Sequence, residues 1–130
     1  MLTIQIITPE RPLAPIQGEH ITLCTVDGEI GVRTGHLPVV ASLKPSFALV
    51  RSGSKDQFWA LSDGTAQVLN DQVNVFVQRA VEVATLDLAA IEARITTLTA
   101  VAASPLQAAD LAWAQAQRFA LQRSKAGSGR

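Results

Sequence analysis

Near residue 84 the hydrophobic period of this chain changes from two to about 3.6, and that change constrains its fold more than any other feature. Up to Ala84 the apolar residues alternate with polar ones: Leu2, Ile4 and Ile6 around Thr3 and Gln5, Ile21 and Leu23 around Thr22, Val73 and Val75 around Asn74. Alternation of this kind marks strands buried on one face. Turn signals separate the runs at Thr8-Pro9, Asp27-Gly28, Thr34-Gly35, Lys44-Pro45, Ser52-Gly53, Asp63-Gly64 and Asn70-Asp71. Short strands punctuated in this way close on themselves as two packed sheets, and about ten strands are expected.

From Thr85 onward alanine and leucine dominate, and Leu88, Ile91, Ile95, Leu98 and Ala102 recur three, four, three and four apart. That spacing places them in one stripe of a helix. Thr85 is the expected N-cap, with Asp87 in the first turn where the helix dipole favours an anion. A second helix is announced by Ser104-Pro105-Leu106-Gln107, which combines a capping serine, a proline at the first helical position and a glutamine two residues on. It is expected to reach about Ser124, presenting Ala109, Trp113, Ala116 and Ala120 in one line, with Leu111, Ala112 and Phe119 beside it. So short a connection makes the two helices an antiparallel hairpin. Rows of alanine bury little apolar area, so a hairpin standing alone would be marginal and movable. The expected organisation is a β-sandwich domain over residues 1–84 and a two-helix hairpin over residues 85–130.

Charge follows the same division. The chain has 11 basic and 11 acidic residues, so it lacks the global basic field on which phosphate-backbone binding depends, and nucleic acid is not an expected partner. Within that balance the first part is acidic and the second basic, with Arg118, Arg123, Lys125 and Arg130 uncompensated after Asp110. Cations at a helix C-terminus complement its dipole, and they also suit an acidic protein partner. No apolar run is long enough to cross a bilayer, so no direct membrane insertion is expected. The amino terminus has neither a secretory pattern nor an arginine-rich transit pattern. The single cysteine, Cys24, reads as a small buried hydrophobe.

Groups for catalysis are sparse. The glycines of Gly28-Glu29-Ile30-Gly31-Val32-Arg33-Thr34-Gly35 match neither a phosphate-binding loop nor a dinucleotide fingerprint. There is no G-x-S-x-G. His20 and His36 offer two metal ligands with no close partners, which leaves a ligand- or metal-binding module as the alternative class of function. The stretch from Asp27 to Lys44 concentrates turn residues with exposed-looking functional side chains, and loops of that kind carry function more often than cores do.

That stretch carries a resemblance. Asp27-Gly28-Glu29-Ile30-Gly31-Val32-Arg33-Thr34-Gly35-His36-Leu37-Pro38, followed by Leu43-Lys44-Pro45, resembles the epsilon-subunit family of F-type rotary ATP synthases. Ile6-Ile7-Thr8-Pro9-Glu10 looks like the family's opening strand and turn, and Leu61 to Val68 like its central hairpin. The resemblance implies a β-sandwich followed by a helical hairpin, in a central-stalk subunit with no catalytic activity of its own. Its implied partners are the gamma subunit and the membrane rotor ring, contacted through Glu29, Gly31, Arg33 and His36. Arg118, Arg123 and Lys125 would press on the catalytic beta and alpha subunits and restrain ATP hydrolysis. No cofactor is implied: the family's regulatory-ATP motif reads here Leu86-Asp87-Leu88-Ala89-Ala90, with Ala90 in the place of its arginine. Ser46 stands where a glycine commonly follows the proline. The implied location is the cytoplasmic face of a bacterial inner membrane, held there peripherally.

Overall fold

Each alternating run becomes a strand with its apolar phase turned inward. In the computed structural model, which describes residues 1–10, 12–13, 15–101 and 105–127, these strands are β1 (Leu2–Ile7), β2 (Ile16–Gly18), β3 (His20–Thr25), β4 (Gly28–Arg33), β5 (Val39–Ser52), β6 (Lys55–Leu61), β7 (Gly64–Leu69), β8 (Gln72–Val77) and β9 (Ala80–Glu82). One layer runs β2-β1-β8-β7-β5 and the other β4-β3-β5-β6-β9. All pairings are antiparallel except β1 with β8.

The 14-residue β5 belongs to both layers. Val39–Leu43 pairs with β7, and Ser46–Ser52 with β6. The turn expected at Lys44-Pro45 is instead a bend inside a continuous strand. Proline has no N–H for a ladder, and these two residues are the ones that pair with neither neighbour. One strand thereby serves twice, which is why nine described strands build the sandwich for which about ten were expected.

The layers enclose Leu2, Ile4, Ile6, Ile21, Leu23, Val32, Val50, Val68, Val73 and Val75, each at most 1% exposed. The opposite faces of β5 and β6 turn Phe47, Leu49, Phe58 and Ala60 outward into a second apolar cluster, which the helices cover. Residues 46–50 of β5 are therefore buried on both faces.

A short 3₁₀ turn, Val83–Thr85, leads to α1 (Leu88–Val101) and α2 (Pro105–Gly127). Thr85 is not the cap of α1. It closes the 3₁₀ turn, its hydroxyl donating to the Glu82 carbonyl at 2.8 Å, and Asp87 Oδ1 accepts the Ala89 N–H at 3.1 Å instead. The expected α1 stripe faces the second cluster: Ile91 and Ile95 are buried, and Leu88 and Leu98 pack against them. Ala102 and the capping serine Ser104 lie outside the described residues.

On α2 the buried line differs from the expected one. Ala114, Ala116, Ala120 and Leu121 are buried, Trp113 and Leu111 are partly buried, and Ala109 and Phe119 are exposed. The reason is that α2 has two partners, α1 on one side and β5 and β6 on the other. Its alanines let the helix backbone approach the sheet closely, so the hairpin does not depend on its own interface. The helix also continues past Ser124 to Gly127.

Candidate functional site

Among the described residues β4 pairs with β3 alone, so it ends the second layer with one edge open. Glu29, Gly31 and Arg33 alternate on its outward face while Val32 points into the core. Glu29 and Arg33 are about 13 Å apart along the strand, at roughly 3.3 Å per residue. His36 lies in the loop that follows. The four residues therefore extend along one edge of the sandwich and do not converge on a point.

Two exposed apolar residues bracket this edge, Val26 at the turn before β4 and Leu37, 78% exposed, beyond it. The loop is held from several sides. The His36 N–H donates to the Arg33 carbonyl at 3.0 Å, and its Nδ1 donates to the Leu37 carbonyl at 2.6 Å. Gly35, at φ +86°, adopts a backbone conformation that favours glycine, and its N–H reaches Asp71 Oδ1 at 2.7 Å. Asp71 is itself in the left-handed region with Asn70, in the two-residue turn joining β7 and β8.

The metal reading gains nothing from this arrangement. His20 stands opposite Arg33 on β4 and Arg51 on β5, two cations that disfavour a metal ion. No group of three His, Cys, Asp or Glu side chains fit to hold a metal occurs among the described residues. Burial lowers the His20 pKa, and Arg33 and then Arg51 lower it further.

A second surface escaped the sequence reading. The outward face of the first layer carries three cross-strand rows, set by the register of its pairs. Gln17, Thr3, Gln72 and Leu69 form one. Gln5, Asn74, Gln67 and Val40 form the next. Ile7, Phe76, Thr65 and Ser42 form the third. No row contains a charged residue. Val40 is 69% exposed, and Leu69 and Phe76 are also open. A broad sheet face without charge, dotted with exposed apolar side chains, has the composition of an interface centre. The signal was present in the sequence, in the phase of each alternation opposite to the core.

The sandwich matches known proteins. Over residues 1–83 the chain matches the ATP synthase Delta/Epsilon chain beta-sandwich domain. The chain belongs to that family. It is 38% identical over 80 residues to the ATP synthase epsilon chain of Staphylococcus aureus (strain JH9), a match covering 61% of this chain and 60% of that one. To the epsilon chain of Elusimicrobium minutum it is 35% identical over 80 residues, covering 61% and 59%. The match thus spans about three-fifths of the length of these curated relatives.

Among solved structures it is similar to a chain of the Euglena gracilis mitochondrial ATP synthase, resolved there with OSCP, F1 and the c-ring. The TM-score is 0.70 at 22% identity, over 96% of this chain and 79% of that one. A chain of the Tetrahymena thermophila central stalk and c-ring gives 0.55 at 17%, over 65% and 68%. At these identities the likeness establishes the fold, and in the first case it extends through the helices.

The basic residues of α2 are already engaged in part. The Arg123 guanidinium lies 5.4 Å from the centroid of Phe47, whose ring also meets Phe119 and Phe58. Arg118 is half-buried, and Lys125 is exposed. Nearer the start of α2, Asp110 Oδ1 accepts a hydrogen bond from Arg79 Nη2 at 2.8 Å, which ties the helix to the segment after β8. None of the described helices is long and apolar enough to cross a membrane.

Proposed function

We propose that this chain is the epsilon subunit of a rotary ATP synthase, a non-catalytic part of the central stalk. Residues 1–84 bind the gamma subunit and the membrane rotor ring, and residues 85–130 restrain ATP hydrolysis at the catalytic subunits. The observation that carries the reading is the uncharged outer face of the first layer. A monomer gains nothing by leaving so wide a face without solubilising charge, whereas a permanent partner covers it. Gamma is assigned to this face. The ring is assigned to the β4 edge, through Glu29, Gly31, Arg33 and His36. The location that follows is peripheral, on the cytoplasmic face of a bacterial inner membrane.

Regulatory ATP binding is left out of the proposed role, because Ala90 replaces the motif arginine and is exposed on α1. Titrating ATP into the full chain is expected to give no saturable heat, and a saturable isotherm would overturn that exclusion.

The role is tested by purifying tagged full-length chain from gently solubilised source membranes and identifying what accompanies it. Gamma, catalytic subunits and ring protein in fixed ratio are the expected result. A Gln67→Arg variant, which puts a charge in the middle row, should lose gamma while remaining folded. Recovery of the wild-type chain alone would refute the reading.

A further inference from the structure

His20, Arg33 and Arg51 form a row of basic side chains across three adjacent strands. The register sets His20 on β3 directly against Arg33 on β4 and against Arg51 on β5. Like charges directly opposite one another weaken a sheet, and the row shows how the fold accommodates them. The imidazole lies over Gly31, so close that a Cβ there would meet Nε2 at 2.8 Å. Nδ1 is buried without a hydrogen-bond partner. Burial, Arg33 and Arg51 all hold the ring toward its neutral form.

Two carboxylates lie close by, and both are occupied. Asp56 is ion-paired with Arg51 Nε at 3.3 Å, and Glu19 Oε1 accepts the N–H of Gly53. Among the described residues no carboxylate is ion-paired with Arg33. The row opens onto a shallow hollow lined by Glu19, His20, Arg33, Arg51 and Gly53. Arg33 belongs at once to this hollow and to the free β4 edge.

We propose that this row docks a carboxylate from an acidic segment of the protein that lies along the β4 edge. The inference rests on the reading of that edge as a protein contact, and adds its chemistry. Charge complementarity selects the occupant: Arg33 is a cation that no carboxylate of the described residues neutralises. Continuity with the β4 edge favours a side chain of a docked protein over a free anion.

The test uses full-length chain rebound to source membranes stripped of it. Arg33→Glu is expected to weaken rebinding about tenfold and to flatten its salt dependence, whereas Arg33→Lys stays within about threefold of wild type. Treated with a carbodiimide, the rebound Arg33→Lys variant should form an amide from its new amine to an Asp or Glu of the partner, with loss of one water. Circular dichroism of both variants matches wild type if they fold. Arg33→Glu rebinding as tightly as wild type overturns carboxylate docking while the contact reading stands. Weakened rebinding without the amide crosslink, or displacement by millimolar inorganic phosphate, also overturns it by pointing to a different anion. Wild-type chain that fails to rebind refutes the contact reading, and this inference falls with it.

Discussion

Ser46 shows how one residue can work against the fold around it. It is 2% exposed at the start of the β6-paired half of β5, and its hydroxyl is buried with no hydrogen-bond partner. A buried unsatisfied hydroxyl costs about 1–3 kcal/mol. Ser46→Ala is therefore expected to stabilise the chain by about 1 kcal/mol, raising the thermal midpoint by roughly 3–5 °C; an unchanged or lower midpoint would show that the hydroxyl finds a partner. His20 gives a pH-dependent counterpart. Its folded pKa lies below the unfolded value of 6.5, so the unfolded chain binds the proton more readily. This contribution is neutral above pH 6.5, and stability falls as pH drops from there through the folded pKa. Denaturant midpoints measured between pH 7.5 and 5 should decline less for His20→Gln than for wild type. Parallel slopes would mean that other groups govern the acid side.

At the scale of elements, what the sequence made legible depended on whether a signal was local. The core phases of β1, β3 and β8 could be read because alternation is a property of a few consecutive residues. Glu29 to His36 are contiguous, so their placement on one strand and the loop after it could be read. The buried line of α2 could not, because Ala114 and Leu121 are inside only where the helix meets Phe47 and Phe58, which are far away in the chain. The Lys44-Pro45 bend and the Thr85 cap misled for a related reason, since each is decided by what the neighbouring elements leave available. The hollow at His20 was hidden too, because Arg33 and Arg51 become neighbours only through β3. Tertiary placement also supplies a natural reporter. Cys24 is buried in the cluster that the helices cover, so its reaction with a thiol reagent follows release of the hairpin. The Arg79–Asp110 pair is partly exposed and contributes on the order of 1 kcal/mol or less. Asp110→Asn should accelerate Cys24 labelling about two- to fivefold, and labelling at the wild-type rate would remove that pair from the docking of α2.

For the whole molecule, the proposed regulation depends on which surfaces the helices cover. Deleting the chain beyond Leu86 would strip the cover from Phe47, Leu49, Phe58 and Ala60, so a truncation reports on folding as well as on regulation. Arg123 has the same difficulty, since it lies on Phe47 in the docked hairpin. A cleaner variant combines Arg118→Ala with Lys125→Ala in the full chain. If those charges meet acidic catalytic subunits, ATP hydrolysis by the reconstituted complex should rise severalfold while assembly is unchanged; an unchanged rate would end the inhibitory reading for these residues.

The bend at Lys44-Pro45 has a mechanical consequence. Two stacked sheets held only by side-chain packing can shear past one another under torque, because apolar contacts resist separation far better than sliding. Here a single backbone passes from the layer with the uncharged face into the layer that carries the β4 edge and the helices. A twist applied at the edge would travel to the far layer through covalent bonds, as through a splint, and a part that turns with a rotor would lose little angle to internal slip.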